Sequence, residues 1–155
     1  MEHRQFMLRA IELAKVSAKS GGGPFGAVIV KNGKIVAEAS NSVTLDNDPT
    51  AHAEVNAIRK ACKALQTFDL SGCILYTSCE PCPMCLSSSY WAHIDKLYYA
   101  GDRNDAAEAG FDDDFIYKEF ALPMDQRRLV TERILPVEGL EPFAVWGENC
   151  NKIEY

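Results

Sequence analysis

Two short stretches of the sequence hold side chains suited to metal or redox chemistry. "SCEPCPMC", Ser78 to Cys85, carries Cys79, Cys82 and Cys85 among two prolines and a glutamate. "TAHAE", Thr50 to Glu54, carries His52 and Glu54. Cys82 and Cys85 form a C-x-x-C pair behind the apolar run "GCILYTS", which predicts a strand, and Pro83 predicts the first turn of a helix. Free N–H groups and the dipole of a first helical turn lower a thiol's pKa, so both cysteines are suited to act as thiolates. Three chemistries use such a pair: a redox dithiol, a structural zinc clamp and a catalytic zinc site. On these eight residues alone the redox reading stays open, because thioredoxin-like proteins share the local layout.

The upstream stretch adds weight to zinc. His52 alone reads as an ordinary half-buried histidine, and Glu54 alone as a first-turn acid favoured by the helix dipole. Together the two stretches supply one imidazole, two thiolates and one carboxylate. Three protein ligands leave zinc a fourth position for water, the arrangement of catalytic sites, whereas structural sites close with four. Cys79 remains a candidate fourth ligand, but a closed site leaves Glu54 without a role. A carboxylate two residues from a ligand suits the base that an activated water needs.

The elements that must position these groups are legible in outline. Phe6, Ala10 and Leu13, with Met7, Ile11 and Ala14 beside them, predict an amphipathic helix over residues 3–19, and "SGGGP" stops it. "GAVIVKNGKIVAEAS" predicts a hairpin turning at Asn32-Gly33. Asp48-Pro49 predicts the opening of a second helix, with Val55, Ile58, Cys62 and Leu65 on one face. A strand at "GCILYTS", a helix at "PMCLSSSYWAH" and a strand at "DKLYYAG" follow. "NDAAEAGFDDDFIYKEF" reads as helix or loop, "RRLVTERILP" as a last strand and "LEPFAVWGENCNKIEY" as a C-terminal helix. Strands alternating with helices predict a mostly parallel sheet made mixed by the hairpin: an α/β fold, a three-layer α/β/α sandwich of about five strands. Helices that each follow a strand then bring their N-termini, with His52, Glu54, Cys82 and Cys85, to the carboxyl edge of the sheet.

At 155 residues the chain reads as one domain spanning 1–155, large enough for a real core. Clustered cysteines, no apolar run of membrane-spanning length and an N-terminus unlike a signal peptide point to a cytoplasmic protein with no membrane association. A net charge of −6 weighs against a nucleic-acid partner, since phosphate neutralisation supplies most of such affinity.

"HAE" with "PCPMC" resembles the H-x-E and P-C-x-x-C signature of the cytidine deaminase superfamily of zinc hydrolases. "GGPFGAVIV", "CILYTSCEPCPMCL", "DAAEAGFDD" and the ending at Tyr155 are similar to the short bacterial guanine deaminases, over about residues 22–120 and the last few residues. The stretch 121–145 carries no recognisable match. The resemblance implies Zn2+ on His52, Cys82 and Cys85, Glu54 as proton shuttle, and deamination of guanine to xanthine. It aligns Asn41 with a base-binding asparagine and Asp113 with a residue near the substrate that accepts hydrogen bonds or relays protons. Asn41 reads equally as a turn residue bonded to its own backbone, and the run Asp112 to Asp114 as a solvated loop. Phe25 and Trp91 are candidates to lie against the base, with core packing the alternative for each. Glu80 stays open between a substrate contact and a loop acid. Family members are dimers in which the C-terminal segment reaches over the partner's site, which implies exchange of about residues 138–155 and a role for Tyr155 at the substrate. A guanosine deaminase and a tRNA adenosine deaminase are the nearest rivals, then a pyrimidine nucleotide deaminase. A zinc-stabilised binding module and a redox protein are the rivals from other classes.

Overall fold

Residues Glu2–Lys19 form helix α1 in the computed structural model, which describes residues 2–155. Its buried stripe is Phe6, Ala10, Ala14 and Ser17, the spacing of one helix face. Strands β1 (Gly26–Lys31) and β2 (Lys34–Ser40) pair as the expected hairpin, with Asn32 at φ 51° and Gly33 at φ 72° supplying the turn. A short helix α2 (Val43–Asp46), not anticipated from sequence, precedes α3 (Ala53–Leu65). Then come β3 (Cys73–Cys79), α4 (Pro83–Trp91), β4 (Lys96–Gly101) and α5 (Arg103–Glu108). The chain continues through α6 (Asp114–Ala121), two single 3-10 turns and α7 (Glu141–Glu148).

Two compact units divide this chain, the first ending at Asp114 and the second running from Phe115 to Tyr155. The first holds a four-stranded sheet in the order β2-β1-β3-β4. Its faces are sorted by the period-two alternation of the strands. Ala27, Ile29, Cys73 and Leu75 pack with α3, whose Ala53, Ala57 and Ala61 are small enough to bring that helix close. Val28, Val30 and Tyr76 pack with Phe6 and Ala10 of α1 on the other face. Each buried side chain the size of Ile29 or Leu75 contributes roughly 1.5–3 kcal/mol. The result is the expected three-layer α/β/α arrangement.

Three expectations need correction. The sheet has four strands among the described residues, not about five, because residues 127–136 are irregular. Its Leu129, Val130 and Ile134 are all exposed. Adjacent Leu129 and Val130 break period two, so the segment offers a sheet no consistent apolar face. Nor is the sheet mostly parallel: only β3–β4 pair that way, while β1 is antiparallel to both neighbours. The hairpin folds β1 in between β2 and β3, so the strands joined by the α3 crossover point the same way without touching. Finally, α3 begins at Ala53 rather than at Asp48-Pro49. Asp48 instead closes a turn, accepting Thr50 N–H at 2.8 Å and the Thr50 hydroxyl at 2.7 Å.

The consequence of this topology for the site is simple. Strands β2, β3 and β4 run in one direction and β1 in the other, so the carboxyl ends of three strands and the amino end of β1 share one edge. Phe25, Asn41, Cys79 and Asp102 flank the strands on that edge.

The second unit has no buried residue. Within it Arg128 N–H donates to Glu119 at 2.7 Å, and the Arg128 guanidinium lies 5.6 Å from the Phe115 ring centroid.

Candidate metal and catalytic centre

One side chain ties three points of the loop from β2 to α3 together. Asn56 Nδ2 donates to Ser40 O at 3.1 Å, Ser42 Oγ at 3.0 Å and Ala51 O at 3.3 Å. This fixes His52 as the N-cap of α3, in extended conformation with φ −70° and ψ 155°. Cys82 occupies the same position on α4, with φ −66° and ψ 168°, and Pro83 enters the first turn as expected. Cys85 lies one turn on and is fully buried.

His52 Nδ1 stands 3.5 Å from Cys82 Sγ and 3.5 Å from Cys85 Sγ, and the three ligand atoms lie within 4.8 Å of one another. A tetrahedral zinc with Zn–N of about 2.0–2.1 Å and Zn–S of about 2.3 Å separates nitrogen from sulfur by about 3.6 Å. The donor set therefore fits zinc in both chemistry and spacing. The two thiols share charge: Cys85 donates to Cys82, which lowers the Cys82 pKa and raises that of Cys85. The Cys82 sulfur in turn raises His52. A divalent cation among the three takes the place of the shared proton and holds both sulfurs as thiolates.

Glu54, on the first turn of α3, is 6% exposed. Burial drives its carboxyl well above the usual carboxylate range. The Thr77 hydroxyl, on the α3 face of β3, donates to Glu54 Oε1 at 3.1 Å. The carboxylate also interacts with the Cys85 thiol, so it adjoins the ligand group. A buried carboxyl with one oxygen tethered and a raised pKa is equipped to take up and give back a proton.

The other candidates are placed less uniformly. Cys79 is outside the three-residue group: its sulfur lies 3.6 Å from Asp102 O, and burial, then the Glu54 charge, push its thiol up to about 11. Asn41 is buried and its side-chain oxygen accepts Val43 N–H at 3.2 Å, so the turn reading describes half of its amide. Phe25 is half-buried and meets Phe111 edge-on, with centroids 5.0 Å apart. Asp113 is half-buried, and burial followed by the Cys82 charge raises its carboxyl. It lines a cavity of about 510 Å³ with Glu80, Tyr99, Arg103 and Asp112. Glu80 holds the start of α5, accepting Arg103 N–H at 3.2 Å with Arg103 Nε 3.5 Å from its other oxygen. Trp91 is 66% exposed, which removes the core-packing alternative, and stands roughly 9 Å along α4 from Cys85. Tyr155 is exposed and belongs to the second unit. Thr77 escaped sequence reading. Its signal was a hydroxyl on the same strand face as Cys73 and Leu75, where an apolar side chain is the default.

Comparison with known proteins agrees with this geometry. A family model for the cytidine and deoxycytidylate deaminase zinc-binding region matches residues 1–101. The guanine deaminase of Bacillus subtilis (strain 168) is 56% identical over 156 residues, covering 100% of both chains. Its solved structure superimposes with a TM-score of 0.97, covering 100% of this chain and 99% of that one. A tRNA-specific adenosine deaminase of Aquifex aeolicus is 43% identical over 100 residues, 64% of this chain and 66% of its own. With the zinc-fitting His52, Cys82 and Cys85 beside a buried Glu54, the chain belongs to the cytidine and deoxycytidylate deaminase family of zinc-binding proteins.

Proposed function

We propose that the protein is a zinc-dependent guanine deaminase that converts guanine and water to xanthine and ammonia in the cytoplasm. The observation that carries the substrate is the extent of the likeness. The B. subtilis guanine deaminase matches the whole chain, whereas the A. aeolicus tRNA-specific adenosine deaminase matches about two thirds of it. Net charge −6 also disfavours a tRNA partner, and among the described residues no helix is long and apolar enough to cross a membrane.

Zinc, held by His52, Cys82 and Cys85, supplies the Lewis acidity that makes water nucleophilic near neutral pH. Glu54 accepts the proton that water gives up as the new C–O bond forms at C2 of the base. It returns that proton to the ring nitrogen and serves again as the C–N bond breaks and ammonia leaves. Thr77 keeps one Glu54 oxygen fixed, so the other faces the proton path. Asp113, raised by burial and by the Cys82 charge, takes hydrogen bonds from the N–H groups of the base or relays a proton to the departing amine. Phe25 lies against the flat face of the base, Asn41 reads its edge, and Trp91 contributes aromatic surface.

Zinc analysis with parallel ammonia assays on guanine, guanosine, cytosine, cytidine and adenine tests this reading. Bound zinc and release from guanine without guanosine are expected. Release from guanosine alone assigns a nucleoside enzyme, and no release from any of them rejects the proposal.

The protein is further proposed to be a single deaminase domain that acts as a homodimer in which about residues 138–155 serve the neighbouring subunit's site, with Tyr155 at the substrate. In support, Phe143, Val145, Ile153 and Tyr155 are all exposed in a unit with no buried residue, apolar surface that calls for a cover. Deleting Ile153 to Tyr155 is expected to lower kcat/KM by about tenfold or more while the melting temperature stays put. A truncated protein with normal kinetics removes the role of this end.

A further inference from the structure

Asn41 follows β2 directly, and one of the bonds that hold it comes from α1. Its N–H donates to Phe25 O at 3.0 Å. Its carbonyl accepts the hydroxyl of Ser17 at 3.1 Å, and both residues are buried. Its side-chain oxygen accepts two backbone N–H groups, from Val43 at 3.2 Å and from Gly23 at 3.4 Å. An amide oxygen with both lone pairs engaged leaves the NH2 as the part that can meet a ligand. Among the described residues no fully buried side-chain nitrogen or oxygen lacks a partner, and no bond involves Asn41 Nδ2, so that NH2 is not sealed off inside the protein.

The Ser17 end of this arrangement is equally constrained. Gly21 at φ +89° turns the chain out of α1, and Gly22 N–H closes the helix on Ser17 O at 2.9 Å. Thr44 Oγ1 then ties Gly21 O at 2.7 Å. Gly22 lies in the gap between Ser17 and Asn41. A Cβ there would run into Ser17 Oγ and come within 2.7 Å of the Asn41 carbonyl. Ser17 thus uses its carbonyl to end the helix and its hydroxyl to brace the strand end opposite, across a space that only glycine fits.

We propose that Ser17 is a positioning residue for base recognition. Through its bond to the Asn41 backbone, with Gly22 packed between, the end of α1 sets the Asn41 carboxamide so that it offers N–H donors to a hydrogen-bond acceptor on the edge of the purine. The inference rests on the base contact assigned to Asn41 above, and the test separates the two.

Steady-state kinetics on guanine are measured for the unaltered enzyme, Ser17→Ala, Asn41→Ala and the double variant, each zinc-loaded and checked for its melting temperature. Alanine suits a helix, so Ser17→Ala folds. It is expected to raise KM by about fivefold to tenfold, the value of one buried hydrogen bond, with kcat within about twofold. Asn41→Ala is expected to raise KM further, and adding Ser17→Ala to it to change nothing more. A KM unchanged by Ser17→Ala overturns the proposal, as does an equal KM increase in the Asn41→Ala background, which marks a general structural role. An unchanged KM for Asn41→Ala overturns the base contact itself and the positioning role with it. Failure of the unaltered enzyme to act on guanine is read in the first measurement and overturns the functional reading instead.

Discussion

Glu54→Gln is expected to keep its zinc and lose turnover by about a thousandfold, within the range of general acid–base catalysis. Glutamine preserves the shape of the side chain and an acceptor oxygen, so the bond from Thr77 Oγ1, 3.1 Å in the native protein, survives. It also removes a charge whose burial is costly, so folding should not suffer. What should disappear is the role proposed for the carboxylate: taking a proton from water and passing it to the base and the leaving amine. A merely structural Glu54 predicts the reverse, a lowered melting temperature with turnover retained. The check is metal content by atomic absorption, melting temperature, and single-turnover ammonia release. Turnover above about a tenth of the native rate, with zinc bound, would sink the proton-shuttle assignment.

The metal group was legible because its information is local. His52, Cys82 and Cys85 each sit at or within one turn of a helix start, and prolines and strand–helix transitions mark such starts in a sequence. The shared edge was legible for a different reason. Crossover helices join strands of like direction, so β2 and β3 had to deliver α3 and α4 to the same side. What the pattern could not give was neighbour order. Nothing in "GAVIVKNGKIVAEAS" says that β1 rather than β2 pairs with β3, and that choice alone makes two of the three pairings antiparallel. The Asp48-Pro49 signal misled because an aspartate can bond two residues ahead to close a turn as readily as it caps a helix. Thr77 and Ser17 were invisible for a third reason. Their partners, Glu54 and Asn41, are 23 and 24 residues away in sequence, and a lone hydroxyl carries no long-range pattern. Contacts of that kind, from the supporting layer of a site, appear only once strands and helices have been placed.

Removal of a single zinc ligand is the other large effect. Cys85→Ala is expected to lose the metal and more than about a thousandfold of activity, since the ion supplies several kcal/mol of transition-state stabilisation. Cys79→Ala is expected to keep both, because Cys79 lies outside the ligand group and its thiol, pushed up to about 11, stays protonated at neutral pH. The pair of variants separates a three-ligand catalytic site from a four-ligand structural one, in which Cys79→Ala would cost zinc as well. Stability gives an independent reading. Small zinc domains unfold when stripped, because the metal replaces a core. Here Ile29, Leu75 and Tyr76 are all but completely buried on the two faces of a sheet that owes nothing to the ion. A strong chelator should therefore remove the roughly 4 kcal/mol of stability expected of a ligand present at a thousand times its Kd, lowering the melting temperature without abolishing the cooperative transition. Far-UV circular dichroism of the stripped protein should stay near native, and added zinc should restore ammonia release. Collapse of the transition on chelation would place the ion in the fold itself, and a fully active Cys85→Ala would remove it from the chemistry.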